Sequence, residues 1–194
     1  MAYNITLEGK NLIIAERMLE RVSKLLESSD IQYWLEGGTL LGIRREGRLL
    51  PWDNDVDISM MIDQYSKLDV FYNLLKKSGY RVRTRLFKTS SQHFNQGDLR
   101  MIKIRERRFF GSLKGSVCLD IFIKYPKDNN CYWKIANKTK FVPSKFYSAF
   151  KTISFKGNTY AIPELTDEYL SYRYGDWQTP KKDWNTHTDD KAIA

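Results

Sequence analysis

Hydrophobic side chains recur at helical spacing through the first thirty residues. A helix turns once every ~3.6 residues, so positions three or four apart lie on one face. Charged residues occupy most of the other positions. The pattern predicts an amphipathic helix from about residue 8 to residue 29, within an N-terminal element that spans 1–30. Its apolar face is formed by Leu12, Ala15, Leu19, Val22 and Leu26.

Short apolar runs and glycines alternate in the next segment. Residues 31–35 are mostly apolar, and Gly37-Gly38 follows almost at once. We expect a short buried strand there, a tight turn at the glycines and a helix that begins near Thr39. Gly47 is expected to end that helix, because glycine readily adopts the left-handed conformation that closes helices.

A strand and a further helix are expected after the loop that begins at Pro51. Residues 56–60 alternate apolar and polar side chains, as a half-buried strand does. Residues 62–78 are amphipathic at helical spacing and stop before Gly79. The inward positions of this predicted helix are Tyr65, Leu68, Phe71, Tyr72 and Leu75.

The second half of the chain favours strands, followed by one helix. Pro163 and Gly175 mark the ends of the last helical segment, since proline starts helices well and glycine ends them. The order of elements predicts an α+β fold, with helices flanking a mixed β-sheet. We expect a single domain over 1–194, with 163–194 as a C-terminal helix and tail. The strand-like runs are 80–87, 99–105, 117–125 and 153–155.

The net charge of +9 favours anionic partners without choosing among nucleotides, phosphorylated glycans, nucleic acid and acidic membranes. The basic residues are scattered, so a nucleic-acid-binding tail is not indicated. The two cysteines stand thirteen positions apart, which favours reduced structural thiols over a zinc site. The N-terminus lacks the apolar core of a signal peptide, and no apolar run approaches the ~20 residues of a membrane span. We therefore expect a cytoplasmic protein.

The segment Pro51-Trp52-Asp53-Asn54-Asp55-Val56-Asp57-Ile58 carries the chemistry. Side chains alternate along a strand, so Asp55 and Asp57 should point the same way. Two such carboxylates can share one cation, and without a cation they repel each other and raise each other's pKa. Oxygen ligands suit Mg²⁺ or Mn²⁺. The alternative is a solvated acidic turn, which explains Asp53 better than it explains Asp57.

Two further features fit a phosphate site. Gly37-Gly38 precedes a helix, and glycines at a helix N-terminus let a phosphate approach backbone amides; a plain tight turn is equally open at that position. Asp120 is a lone charge within the most apolar strand, so it needs a partner. It is either a third metal ligand or one half of a structural salt bridge.

These residues resemble the LicD family, which includes bacterial phosphocholine transferases and is similar to the fukutin-type ribitol-phosphate transferases. The matching pieces are Gly38-Thr39-Leu40-Leu41-Gly42 with Arg44, Pro51-Trp52-Asp53 with Asp55 and Asp57, Leu119-Asp120-Ile121-Phe122, and Tyr174-Gly175-Asp176-Trp177 with Pro180 and His187. The resemblance implies a nucleotidyltransferase-like fold. It leaves residues 63–115 without a matching motif, and these should carry much of the substrate specificity.

The resemblance also implies a reaction: transfer of a phospho-alcohol or phospho-sugar from a nucleotide diphosphate donor, often CDP-linked, onto a glycan or glycolipid hydroxyl. It implies that Asp55 and Asp57, with Asp120, bind Mg²⁺, and that Asp53 orders the loop or assists. Gly37, Gly38 and Thr39 would approach donor phosphate. Family members commonly serve surface glycans, so peripheral contact with the inner membrane face is expected.

Several other side chains are candidates for substrate contact. Arg44, Lys103 and Arg105 could reach donor phosphate, although a surface role is equally open for each. Trp52 could stack on a base or sugar, and His187 could bind phosphate. Asp120 or Asp53 would accept the proton of the acceptor hydroxyl. The rival functions are a nucleotidyltransferase that attaches a nucleoside monophosphate and, less favoured, a basic nucleic-acid-binding module.

Overall fold

The computed structural model describes residues 4–108 and 113–194. Four α-helices and ten strands lie in this part of the chain. The helices are α1 (Gly9–Ser28), α2 (Gly37–Glu46), α3 (Leu68–Lys77) and α4 (Thr166–Tyr174). The strands are β1 (Trp34–Leu35), β2 (Val56–Met61), β3 (Tyr80–Leu86), β4 (Leu99–Arg108), β5 (Leu113–Lys114), β6 (Leu119–Lys127), β7 (Asn130–Ile135), β8 (Lys138–Pro143), β9 (Phe150–Phe155) and β10 (Asn158–Pro163).

The main sheet is mixed, which confirms the predicted α+β class. Its strands follow the order β1-β2-β6-β4-β3, in which β2 and β6 run parallel and the other neighbours run antiparallel. The far end of β6 continues into a meander with β7 and β8, and β5 pairs with the end of β4. Strands β9 and β10 form a separate antiparallel pair.

The N-terminal helix α1 and the central strands form the core. Four of the five residues of the predicted apolar face of α1 are buried, and the fifth, Leu12, is partly buried and packs against the core. Along β6 the side chains from Leu119 to Lys124 are all buried. Each fully buried aliphatic side chain contributes roughly 1.5–3 kcal/mol. Burial of α1 against this sheet therefore fixes the position of the strands that carry the site.

Strand register places four polar residues in one row across the sheet. Asp57 on β2 pairs with Asp120 on β6, Asp120 pairs with Lys103 on β4, and Lys103 pairs with Arg83 on β3. Residues that face each other in register project to the same side of a sheet. Two acids and two bases therefore share one face of the sheet.

The predicted helix over 62–78 is wrong in its first third. Residues Ile62–Lys67 form a 3₁₀-helix, and the α-helix begins only at Leu68. None of the six residues of the 3₁₀-helix is buried, and Tyr65, predicted to face inward, is 59% exposed. The apolar positions that anchor a helix to the core begin with Leu68 and continue with Phe71 and Leu75.

Three other boundaries differ from the predictions. One is the start of α4, at Thr166 and not at Pro163, because Pro163 ends β10. The strand expected over 31–35 contains only Trp34–Leu35, and α2 begins at Gly37 and not near Thr39. Helix α2 starts early because the Glu36 side chain accepts a hydrogen bond from the amide of Gly37, at 3.1 Å. Strands β7, β8 and β10 were not predicted, since Lys, Asn and Thr interrupt their apolar positions. Gly47 closes α2 in the left-handed conformation, as predicted.

The two cysteines, Cys118 and Cys131, are buried and unbonded to each other, as expected. Across the described residues, no helix combines the length and the apolar character that crossing a membrane would need.

Candidate functional site

Three aspartates converge where β2 and β6 begin. Asp57 and Asp120 face each other on these parallel strands, and Asp55 lies immediately before β2. One carboxylate oxygen from each of Asp55, Asp57 and Asp120 lies within 4.8 Å of the other two. The alternation expected for Asp55 and Asp57 therefore brings both side chains to one point, with Asp120 beside them.

The electrostatics of this acidic cluster oppose its full ionisation. Burial raises the pKa of Asp53 to about 6. Burial, followed by the charges of Asp53 and Asp120, holds the pKa of Asp55 well above its ordinary value. Burial and the charge of Asp55 do the same for Asp57. A cation placed among these carboxylates would lower these pKa values, because it favours the charged forms.

The donor set fits a hard divalent cation. The buried Oδ1 atom of Asp57 has no hydrogen-bond partner among the described residues, although buried oxygens normally have one. Mg²⁺ and Mn²⁺ prefer carboxylate and water oxygens, which this cluster can offer. Asp55, Asp57 and Asp120 are thus the residues that could hold such an ion.

The glycine turn lies directly against the acidic cluster. Gly37 has a φ of +56°, and a Cβ on it would come within 2.6 Å of Asp57 Oδ2. A Cβ on Gly38 would collide with Asp53 Oδ2. The two glycines therefore let the carboxylates approach the N-terminus of α2, where free backbone amides and the helix dipole favour anions.

The side chain of Thr39, which was expected to approach donor phosphate, contacts the acidic strand. It is buried, and its Oγ1 accepts a hydrogen bond from the backbone amide of Asp57 at 2.8 Å. Its side chain does not line the cavity next to the aspartates. The Thr39 side chain therefore holds the acidic strand.

Asp120 combines the two interpretations that the sequence left open. It belongs to the aspartate cluster, and its Oδ2 also lies 2.5 Å from Lys103 Nζ. The Cys118 thiol donates to its Oδ1 at 3.1 Å. Asp120 is therefore an ion-paired carboxylate that still has an oxygen close to Asp55 and Asp57.

A cavity of about 1370 Å³ opens over this cluster. This exceeds the ~300–1,000 Å³ of a typical small-molecule site, so two substrates can be accommodated. Arg105 is on the wall, and its Nη1 donates to the carbonyls of Gly115 and Ser116. The predicted site residues that line the cavity are Gly37, Gly38, Trp52, Asp53, Asp55, Asp57, Lys103, Arg105, Asp120 and His187.

Arg44 is a second predicted contact residue whose side chain does not line the cavity. Its guanidinium makes two hydrogen bonds of 2.9 Å to the carboxylate of Asp167, outside the cavity. The adjacent Arg45 lines the cavity and donates to the Trp177 carbonyl at 3.0 Å. Successive side chains on a helix point ~100° apart, which explains why neighbouring arginines of α2 have different surroundings.

A buried ionic network is centred on Glu36, the residue before the glycine turn, for which no role was predicted from the sequence. Glu36 Oε1 accepts from Arg173 Nη1 at 2.7 Å and from the Tyr169 hydroxyl, while its Oε2 lies 3.0 Å from Lys124 Nζ. Burial opposes ionisation of Glu36, but the charges of Lys124 and Arg173 outweigh it and lower its pKa to about 2. We call Glu36, Lys124 and Arg173, with Tyr169, the Glu36 network.

The same network holds the C-terminal tail. Arg173 Nη2 lies 2.5 Å from Asp190 Oδ2, and Lys140 on β8 lies 3.0 Å from the same oxygen. Both Lys140 and Asp190 are buried. The tail passes over the cavity, and it supplies His187 and Trp184 to the wall. No local pattern marked Asp190 as important, because its partners are distant along the chain.

The fold and the acidic cluster define a nucleotidyltransferase-like domain. The sequence matches the family described as LicD/FKTN/FKRP, nucleotidyltransferase domain, over residues 30–164, and the chain belongs to this family. The predicted family resemblance is therefore confirmed.

Two relatives illustrate the similarity. Human ribitol-5-phosphate transferase FKTN is 26% identical over 177 residues, which cover 88% of this chain and 34% of that protein. The lipopolysaccharide cholinephosphotransferase LicD of Haemophilus influenzae is 36% identical over 69 residues, or 35% of this chain and 26% of that protein. The chain spans less than half the length of the curated relatives it matches.

The solved structure of ANT(2″)-Ia in complex with adenylyl-2″-tobramycin is similar only loosely. Its TM-score is 0.47 at 16% identity, over 88% of this chain and 81% of that chain.

Proposed function

We propose that the chain is a divalent-metal-dependent phosphotransferase. It moves a phospho-alcohol or phospho-sugar from a nucleotide diphosphate donor, of CDP type, to a hydroxyl of a glycan or glycolipid. The observation that carries this proposal is the convergence of Asp55, Asp57 and Asp120 beside the N-terminus of α2, within one large cavity. The relatives named as ribitol-phosphate and choline-phosphate transferases support the type of group transferred.

Asp55, Asp57 and Asp120 would hold the Mg²⁺ or Mn²⁺ ion. When bound, the ion supplies charge neutralisation for the donor diphosphate and for the nucleotide phosphate that leaves. The raised pKa values of Asp55 and Asp57 support this assignment, because such a cluster is costly to ionise without a cation.

The remaining residues of the cavity would position the donor. The Gly38 amide faces the diphosphate from the start of α2, and Lys103 and Arg105 supply positive charge from β4. Trp52 offers an aromatic face to a base or sugar. His187, on the C-terminal tail, lines the same cavity and would contact donor phosphate.

The chemical step is an in-line displacement at the donor phosphorus. The acceptor hydroxyl oxygen forms the new bond to phosphorus, and the bond from phosphorus to the bridging oxygen breaks. The nucleoside monophosphate leaves with the electron pair. The hydroxyl proton passes to a carboxylate, and Asp53 is the candidate because it adjoins the cluster without belonging to the three ligands.

Product analysis with CDP-linked donors tests this function. The chain, a glycan acceptor and Mg²⁺ should release CMP and attach the phospho-group to the acceptor. Asp55→Asn and Asp57→Asn should lower the rate by several orders of magnitude, because the cation is lost. Asp63→Asn, which changes an exposed acid outside the cavity, should not. Attachment of CMP itself to the acceptor would instead establish a nucleotidyltransferase.

A further inference from the structure

A row of arginines lies on the edge strand of the sheet, within the same cavity. Arg81, Arg83 and Arg85 alternate along β3 and all line the cavity, as does Arg100 on β4. Strand β3 is the last in the order β1-β2-β6-β4-β3, so one of its edges is open. We call these four residues the arginine row. None of the short motifs that carry the family resemblance falls in this part of the chain.

The arginine row places four positive charges on one wall of the cavity. Within residues 4–108 and 113–194, the side chains of its four members make no hydrogen bond or ion pair. The register even sets like charges opposite each other, with Arg81 facing Arg105 and Arg83 facing Lys103. Like charges directly opposite destabilise a sheet. Proteins tolerate such a local loss of stability where function needs the residues concerned. The facing positive charges of β3 and β4 therefore point to an anionic ligand.

Arg100, at the end of the arginine row, is a further destabilising feature of this wall. The pairing of β3 with β4 shifts between Arg85 and Leu86, which leaves Arg100 as an extra residue beside Arg85. Arg100 is half-buried, and its Nε has no hydrogen-bond partner among the described residues. Burial and the charge of Arg85 lower the pKa of its guanidinium. Buried donors of this kind are normally satisfied, and an anion would satisfy this one.

The arginine row is farther from the aspartate cluster than the bases of β4 are. Neighbouring strands are ~4.8 Å apart, so β3 is about 10 Å from the strand of Asp120, with β4 between them. Lys103 and Arg105 on β4 are the bases next to the aspartate cluster. A diphosphate bound at the cluster therefore meets β4 first, and the row faces whatever occupies the outer part of the cavity.

Protection of the sheet edge does not account for this arrangement. Charged residues on edge strands do prevent unwanted pairing with other chains. Edge protection does not require three arginines on the face of the sheet that carries the aspartates. On β3 the intervening Val82 and Thr84 project to the other face, whereas Leu86, which follows the register shift, is exposed and lines the cavity.

We propose that the arginine row binds the acceptor, and that the acceptor is an anionic glycan with repeated phosphate or carboxylate groups. This inference rests on the proposed phosphotransferase function. Successive arginines are ~6.8 Å apart along β3, so a repeating polymer can meet them one after another. The guanidinium group binds phosphate and carboxylate through paired hydrogen bonds, which suits either anion.

The composition of this face favours a glycan over single-stranded nucleic acid. Proteins that bind single strands combine basic residues with aromatic side chains on which bases stack. The residues of β3 and β4 that line the cavity are Arg81, Arg83, Arg85, Leu86, Arg100, Met101, Lys103 and Arg105. None of these is aromatic, and Phe87, which follows β3 in the cavity wall, is buried, so this part of the wall can bind charged groups but offers no exposed aromatic face on which bases could stack.

Binding of defined polymers in EDTA tests the proposal independently of catalysis. The labelled probes are polyglycerol phosphate, polygalacturonate, neutral dextran and a single-stranded RNA oligonucleotide. We expect the wild-type chain to bind one or both anionic glycans, in a salt-sensitive manner, and to bind RNA more weakly and dextran not at all. The triple variant Arg81→Gln, Arg83→Gln, Arg85→Gln should bind the anionic glycans at least about tenfold more weakly.

A charge-matched variant controls for general electrostatics. Lys10→Gln, Lys76→Gln, Lys77→Gln removes three exposed positive charges from α1 and α3, outside the cavity, and should bind as the wild type does. Equal binding by wild type and the arginine variant, or equal loss in both variants, would overturn the proposal. RNA binding as tight as glycan binding would overturn it in favour of a nucleic-acid site.

Two further measurements separate this proposal from the function on which it rests. The arginine variant should melt at or above the wild-type temperature, because it removes like-charge pairs. It should also keep the thermal shift that a CDP-linked donor and Mg²⁺ produce in the wild type. Absence of that shift in the wild type counts against the phosphotransferase function. Loss of the shift in the arginine variant alone would overturn the assignment of the row to the acceptor.

Discussion

The backbone amide of Asp57 donates a hydrogen bond to the side-chain oxygen of Thr39, at 2.8 Å. On the other side, the amide of Glu36 donates to the carbonyl of Asp57 at 3.1 Å. These two bonds join the start of α2 to the acidic strand β2. The glycine turn and the aspartate cluster are thus one rigid unit, and residues that face no ligand keep Asp57 in place.

Thr39→Val tests the role of this hydrogen bond. Valine has nearly the shape of threonine but leaves the Asp57 amide without its acceptor, which costs about 1–3 kcal/mol in a buried position. We expect lower stability in urea unfolding together with weaker Mn²⁺ binding. Thr39→Ser retains the oxygen and should keep most of the Mn²⁺ affinity. If serine and valine weaken the affinity equally, the hydrogen bond does not position Asp57.

Gly38→Ala tests the close approach of the glycine turn to the acids. The added Cβ collides with Asp53 Oδ2, a side-chain atom that can turn away, so the protein should still fold. Alanine is favoured by roughly 1 kcal/mol over glycine within a helix, which limits the loss of stability. We expect near-normal melting with a clear loss of donor affinity, measured by calorimetry with Mg²⁺.

Gly42→Ala is the comparison variant for this experiment. It lies in the same helix, but its Cβ would come within 2.6 Å of the Arg48 backbone carbonyl, which cannot turn away. That variant should lose stability and leave Asp53 untouched. A Gly38→Ala variant that binds donor as well as the wild type would show that the space beside Asp53 is not needed.

Glu36→Gln tests the buried ionic network. The substitution keeps the shape but leaves Lys124 without its buried counter-charge and Arg173 with that of Asp190 alone, and breaking such pairs costs about 3–5 kcal/mol. Urea unfolding should report a loss of this size. Glu168→Gln breaks an exposed pair with Lys145 and should change stability by less than about 1 kcal/mol. Similar effects of the two substitutions would contradict a special role for Glu36.

The aspartate cluster predicts an unusual dependence of stability on pH. Unfolded aspartates ionise near pH ~3.9. In the folded chain the pKa of Asp53 is raised to about 6, and those of Asp55 and Asp57 are also raised. The folded chain therefore holds more protons above pH ~4, and it should lose stability as the pH rises through the raised pKa values.

Chemical denaturation in EDTA between about pH 4 and pH 8 measures this loss. Asp57→Asn should flatten the dependence, since it removes one coupled carboxylate, and Mg²⁺ should flatten it in the wild type. The lowered pKa of Glu36 acts at a different pH, because its stabilisation is lost only as the pH falls towards about 2. Parallel curves for wild type and Asp57→Asn would contradict the raised pKa of Asp57.

The sequence identified those parts of the site that have local signals. Asp55 and Asp57 alternate with apolar residues of one strand, and Asp120 is a charge within an apolar run. Each pattern follows from the period of a β-strand, which is visible without knowledge of the fold. Gly37 and Gly38 were recognisable for the same reason, since a turn requires them locally.

The remaining features depend on contacts between distant segments. Glu36 meets Arg173 and Lys124, which lie 137 and 88 positions further along the chain, and no local pattern joins them. The direction of Arg44 depends on Asp167, on a helix that packs beside it only in the folded chain. The alternating arginines of β3 were visible, but their position beside the aspartates required the order of the strands.

Titration of the metal-free chain with Mn²⁺, followed by electron paramagnetic resonance, tests the central claim most directly. Wild-type chain should bind Mn²⁺, and Mg²⁺ should displace it. Asp57→Asn and Asp120→Asn should each abolish or strongly weaken binding, whereas Asp63→Asn should not. If the wild-type chain binds no Mn²⁺, or if Asp57→Asn binds it equally well, the three aspartates are not a metal site.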